Sequence, residues 1–116
     1  MVMSLDASSP LRAGKYARVE VQALLPEDPS GYRVDLFLSE NADAASPTWK
    51  AVGKPGVSRG GRQTFAAEIQ LGSGSRQALR AHLRMASPTD APQLCGTGST
   101  TAVVDDHDDV VFSVQP

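Results

Sequence analysis

The chain has 116 residues, a formal net charge of −2 and 41% hydrophobic residues, so a single domain can bury its own core. The near-neutral charge lacks the basic stripe of a nucleic-acid surface, and no apolar run approaches the roughly 18 residues of a membrane span. We therefore expect no nucleic-acid or membrane partner. Residues 1–4 lack the features of a signal peptide, as expected if the chain is a domain of a longer precursor.

Apolar and polar residues alternate along short segments, and this period of two predicts half-buried β-strands. Glycines and prolines separate the segments as turns. No stretch holds a convincing helical period. In chain order the pattern predicts strands at residues 16–25, 32–39, 48–52, 63–71, 77–85 and 110–114, with a short strand or extended loop at residues 100–104.

These segments predict an all-β fold, an antiparallel β-sandwich of six to eight strands that is immunoglobulin-like or jelly-roll-like. Residues 1–14 are predicted to form a lead-in segment, and residues 15–116 a single β-sandwich domain. Phe37 falls on the polar face of its strand, which indicates partial cover on that face.

A basic stripe follows the strand predicted at residues 77–85, where Arg80, His82 and Arg84 alternate with inward-facing apolar residues. We expect a solvated strand face whose charges discourage edge-to-edge pairing. The functional alternative is that Arg80 and Arg84 contact an acidic partner or a polysaccharide.

Residues 105–109 read Asp-Asp-His-Asp-Asp and come directly before the last predicted strand. Like charges at this density must be solvated, hydrogen-bonded or bound to a cation. Calcium takes about six to eight oxygen ligands from a loop that can curl, which makes it the candidate cofactor. The alternative, which charge runs in general favour, is a solvated turn whose aspartates cap backbone amides. The candidate metal ligands are Asp105, Asp106, Asp108 and Asp109, with Asp43 reaching them from another loop.

No catalytic constellation accompanies the acidic run, and we expect a protein that is not an enzyme. The sequence has no Gly-x-Ser-x-Gly nucleophile elbow, and its clustered aspartates are adjacent rather than set across a cleft. Zinc is disfavoured because His82, His107 and Cys95 show no short ligand spacing. Trp49 and Tyr32 are candidate aromatic contacts for a ligand, although a single tryptophan on a short strand is more often part of a core.

Several motifs of the second half occur in a distinctive order. They are Trp49, the Gly-Ser turn at residues 72–75, Ala-Leu-Arg-Ala-His-Leu-Arg at 78–84, Cys-Gly-Thr-Gly at 95–98 and Asp-His-Asp-Asp-Val-Val-Phe at 106–112. This order, spread over residues 33–114, resembles the C-terminal accessory domains of secreted bacterial proteases. One departure is Asp105, which stands where the resemblance leads us to expect an aromatic residue.

The resemblance implies a non-catalytic accessory or binding domain of a secreted bacterial hydrolase, most simply a peptidase. Its partners would be the neighbouring peptidase domain of the same precursor and a protein or polysaccharide ligand. Two alternatives stay open. One is a carbohydrate-binding module that uses Trp49 and the tyrosines, and the other is a structural or assembly domain of an extracellular protein.

Overall fold

The computed structural model describes residues 2–4, 10–25, 27, 31–53, 60–85 and 105–116, without the side chains of residues 3, 4, 85 and 105–107. The predictions that concern Cys95 and residues 100–104 lie outside this part of the chain.

Seven strands in the described part of the chain form two antiparallel sheets. One sheet has three strands in the order β1-β2-β5, and the other has four in the order β4-β3-β6-β7. The predicted all-β antiparallel sandwich is therefore confirmed. The strands are β1 Val2–Ser4, β2 Tyr16–Leu25, β3 Tyr32–Ser39, β4 Lys50–Gly53, β5 Gly61–Gln70, β6 Arg76–Met85 and β7 Asp105–Ser113.

The strand order of the described sheets can be compared with that of immunoglobulin sandwiches. Immunoglobulin sandwiches place the first, second and fifth strands in one sheet and the third, sixth and seventh in the other. This chain has the same division, and its short fourth strand pairs with β3 at the edge of the four-stranded sheet. Among the described strands, the division therefore follows the immunoglobulin pattern except at β4, since the fourth strand of a constant-type domain lies in the other sheet.

Alternate aliphatic side chains of both sheets form the core. Ala17 and Ile69 lie opposite each other on β2 and β5, and Leu36 and Ala81 lie opposite each other on β3 and β6. Removing these apolar faces from water stabilises the fold by about 25 cal/mol per Å². The buried core cluster consists of Ala17, Val19, Leu25, Val34, Leu36, Leu38, Phe65, Ile69, Leu71, Leu79, Leu83 and Val114.

The strands differ most from the predicted ones at three places, while β5 and β6 differ by only one or two residues at their ends. The segment predicted as a lead-in contains β1, whose Val2 pairs with Val19 of β2. Trp49 precedes β4 instead of lying within it. The acidic run is also not a loop before the last strand, because β7 begins at Asp105. The run can adopt strand structure because its register sets it opposite the basic stripe of β6, and opposite charges across strands are favourable.

Candidate functional site

The outer face of the four-stranded sheet, which is the side turned away from the three-stranded sheet, holds a buried ion cluster. Arg33 and Arg84 lie opposite each other on β3 and β6, and Asp35 lies two positions along β3, opposite His82. Nε of Arg33 is 2.9 Å from Oδ1 of Asp35, and Nε of Arg84 is 3.7 Å from Oδ2. Two guanidinium groups thus share one carboxylate, which satisfies the requirement that buried charges be paired.

The sequence predicts that the basic stripe faces solvent, and this prediction is wrong at two of the three positions. His82 is 0% exposed, and Arg84 is also buried. Phe37, on the same face, is buried as well, so the cover predicted from its position is confirmed. The outer face of β3 and β6 is therefore a second packed layer rather than a surface.

Arg80 is the half-buried member of the stripe, and it is held from two sides. Its guanidinium carbon lies 4.5 Å from the centroid of the Trp49 ring, within the range of a cation–π contact. On the other side, Nε and an Nη donate to the two carboxylate oxygens of Asp109 at 2.7 and 2.9 Å. Such bidentate pairs fix the guanidinium plane as well as its charge.

The pairing registers of the four strands β4, β3, β6 and β7 create this arrangement. Arg80 lies opposite Phe37 of β3 and opposite Asp109 of β7, and Phe37 lies opposite Ala51 of β4. Trp49, just before β4, is thereby placed where its ring reaches across the buried Phe37 position to Arg80.

An exposed valine completes the surface. Val111 lies opposite Ala78 of β6, two positions along β7 from Asp109, and it is 49% exposed. We call Trp49, Arg80, Asp109 and Val111 the outer patch. Tryptophan and arginine beside an exposed aliphatic side chain are typical of the centres of protein–protein interfaces.

The predicted aromatic contacts do not come together. Tyr32 is on the opposite face of β3 from this patch and packs against the core. Tyr16 is exposed at the start of β2, in the other sheet. Of the four predicted ligand contacts, Trp49 and Arg80 belong to the outer patch, while Arg84 belongs to the buried ion cluster.

The candidate calcium ligands are distributed along β7 rather than around a loop. Successive residues of a strand point to opposite faces, so Asp108 and Asp109 are directed to different sides of the sheet. Asp43 pairs with Arg76 at 3.2 Å. Arg76 lies opposite Ser113, which is four residues, or roughly 13 Å, along β7 from Asp109. The register partners of the run are Arg84 for Asp105, Leu83 for Asp106, Ala81 for Asp108 and Arg80 for Asp109.

Among the described side chains, no three of the types His, Cys, Asp and Glu are grouped as they would be to hold a metal ion. Asp105 and Asp106 are outside the described side chains, so calcium binding by the run stays a prediction. Asp109 has a different role that sequence analysis missed, since it holds Arg80. A signal for this pairing exists in the sequence, because Arg-x-His-x-Arg at 80–84 mirrors Asp-x-His-x-Asp at 105–109.

Comparison with known proteins finds no match for this chain among family models, curated proteins or solved structures. The resemblance to protease accessory domains accordingly stays a prediction. In the part of the chain that the structure describes, no helix has the length and apolar character needed to cross a membrane.

Proposed function

We propose that this chain is a non-catalytic accessory domain of a secreted bacterial hydrolase, a peptidase, and that it docks on the neighbouring peptidase domain through the outer patch. The proposal of a docking surface rests on the position of Arg80. This side chain is fixed between the Trp49 ring and the Asp109 carboxylate, next to an exposed Val111.

A fixed arginine favours binding because little side-chain freedom remains to be lost. Ordering a long side chain at an interface costs about 0.5–1.5 kcal/mol, and the contacts of Arg80 already restrict it in the free domain. Trp49 supplies a large apolar area, and truncation of tryptophan or arginine at interface centres often causes the largest losses of affinity. A protein surface with a matching apolar pocket is the partner that this chemistry fits.

The extracellular peptidase context is supported by the order of motifs in residues 33–114. The carbohydrate alternative has less support, because Trp49 and Tyr32 lie on different faces of the sheet and form no joint platform.

The first test is the reading frame that encodes the chain. We expect a peptidase domain in frame and upstream of it, with an export signal ahead of that domain. A frame that encodes no hydrolase domain contradicts the accessory role.

The second test uses the full-length precursor with Val111→Asp. A carboxylate in the outer patch should weaken docking, so limited proteolysis between the domains should accelerate at least tenfold. The matched control is Thr64→Asp, since Thr64 is close to valine in size, is exposed on β5 of the other sheet and should tolerate the same change. Equal cleavage of both variants and the wild type contradicts docking through this patch. Concentration-dependent oligomers that Val111→Asp abolishes would instead favour an assembly domain.

A further inference from the structure

Among the described strands, about half of β2 has no partner on one of its edges, which we call the free edge. β5 pairs with β2 over its full length, from Tyr16 to Leu25. On its other side β2 pairs with β1 only from Ala17 to Val19. Among the described strands, none pairs with residues 20–25 on that side. Alternate backbone N–H and C=O groups of this segment therefore form an edge that can template a further strand.

An open cleft of about 150 Å³ lies beside this edge, between β2 and the strands β6 and β7. Its apolar wall is the margin of the core, where Val110 is 38% exposed and Val21 and Ala81 are half-buried. Glu20, Asp108 and Asp109 bring carboxylates to the same cleft. Within the described residues, the two sheets are thus incompletely closed beyond the Val2 end of β1.

We propose that the free edge of residues 20–25 and this cleft bind an extended segment of a partner polypeptide as an added strand. The segment runs antiparallel to β2, directs alternate apolar side chains into the cleft and sets a lysine or arginine beside Asp108. This is recognition by β-strand addition, in which the main chain gives affinity and alternate side chains give specificity.

The backbone direction follows from β1. Val2 pairs with Val19 and Ser4 with Ala17, so the groove that β1 occupies continues directly to Glu20 and beyond. A strand that continues β1 keeps the same direction and the same alternation of faces. Its inward side chains then fall above Val21 and Ala23, the half-buried inner-face residues of β2.

The carboxylates that line the cleft indicate that the added strand carries a positive charge. Glu20 already lies 3.0 Å from Nε of Arg18, and Asp109 is held by Arg80. Asp108 is exposed and accepts the backbone N–H of Asp109 at 3.0 Å, and no cation of the described residues pairs with it. A basic side chain in the occupant supplies the missing opposite charge. This site adjoins the outer patch at Asp109, but its binding edge belongs to the other sheet and it does not depend on the proposed function.

The test uses a capped peptide of about six residues, Val-Lys-Val-Lys-Val-Lys, which spans residues 20–25 at one residue per position. Running antiparallel to β2, it sets its valines opposite Val21, Ala23 and Leu25, on the side of the core. Titration into the isotope-labelled protein should shift the amide resonances of residues 20–25 and slow their hydrogen exchange. Asp108→Lys should weaken binding at least tenfold. The matched control is Glu68→Lys, because Glu68 is an exposed carboxylate on β5 of the same sheet, away from the cleft. It should leave the affinity within twofold.

Three results would overturn the proposal. One is the absence of resonance shifts at millimolar peptide. Another is a set of shifts confined to the outer patch, which would place the peptide on the other site. The third is an equal loss of affinity in Asp108→Lys and Glu68→Lys, which would mean that the net charge of the protein, and not the position of Asp108, determines the affinity. A peptide with glutamate in place of lysine should bind at least tenfold more weakly, and equal binding would remove the role of Asp108.

Discussion

Single charged residues on the outer face of the four-stranded sheet contribute to the stability of the fold, and Asp35 is the clearest case. Its side chain is 1% exposed, and it is the carboxylate that Arg33 and Arg84 share. We expect Asp35→Asn to lower the free energy of unfolding by about 3–5 kcal/mol, because it leaves two buried guanidinium groups without this counter-charge. Urea unfolding measures the change.

The matched control for Asp35→Asn is Asp43→Asn. Asp43 also pairs with an arginine, at 3.2 Å from Nε of Arg76, but both side chains are exposed. Exposed pairs contribute about 0–1 kcal/mol, so this variant should unfold almost as the wild type does. Similar losses in the two variants would mean that burial adds nothing to the Asp35 cluster.

Gly74 is required by a close approach of two loops. A Cβ at this position would overlap the backbone oxygen of Glu40, which cannot rotate away as a side chain could. We expect Gly74→Ala to destabilise the protein by about 1–3 kcal/mol, the usual cost of overpacking. Gly53→Ala is the control, because its Cβ would meet only Cδ1 of Leu36, at 3.6 Å. Thermal unfolding of the two variants should differ clearly, and coincident curves would count against the close approach.

At the scale of single elements, local sequence pattern determined β2 and β3 well. Both strands have the predicted bounds, Tyr16–Leu25 and Tyr32–Ser39, since their alternation reflects one apolar face turned to the core. β1 and the start of β7 were not predicted, because their strand structure depends on pairing with a neighbouring strand and not on a local sequence pattern. β1 has three residues, and the first half of β7 has no apolar alternation.

The outer patch was predictable only in part for the same reason. Trp49 and Arg80 were recognised as candidate contacts by residue type, but their stacking depends on the order of β4, β3 and β6 in the sheet. The sequence indicated Asp109 only as a candidate calcium ligand, and its pairing with Arg80 could not be predicted without knowledge of the β6–β7 register. Sequence thus indicated the residue types of the site, and tertiary pairing decided which of them meet.

The loop between β3 and β4 is an element whose order depends on Asn41. Its Oδ1 accepts hydrogen bonds from Oγ of Ser39 at 3.0 Å, and from the backbone N–H and Oγ1 of Thr48 at 3.0 and 3.2 Å. We expect Asn41→Ala to cost about 1–2 kcal/mol and to release Trp49 from Arg80, since Trp49 follows Thr48 directly.

The only tryptophan of the chain, Trp49, reports on this change. Its fluorescence should shift to longer wavelength in Asn41→Ala as the ring becomes more exposed to water. Asn41→Asp is the control, because a carboxylate keeps the accepting oxygen and should preserve the native spectrum. An unchanged spectrum in Asn41→Ala would show that the loop holds Trp49 without this side chain.

At the scale of the whole molecule, the two sheets are unequal. In β3 every residue from Arg33 to Ser39 is buried, because the core covers one face of the strand and the packed outer layer covers the other. In β2 buried and accessible positions alternate along most of the strand, so one face of that sheet meets water. The four-stranded sheet therefore provides the rigid scaffold, and the three-stranded sheet leaves the edge that can accept a further strand.

This inequality predicts the pattern of amide hydrogen exchange. Leu36, Phe37 and Leu38 pair with β4 on one side and with β6 on the other, in the most buried strand. Their amides should exchange only through global unfolding, with protection equal to the full free energy of unfolding. Alternate amides of residues 20–25 point to the free edge and should exchange orders of magnitude faster. If those amides instead match the protection of β3, the edge of β2 is already paired in solution, and the sandwich is closed where the structure leaves it open.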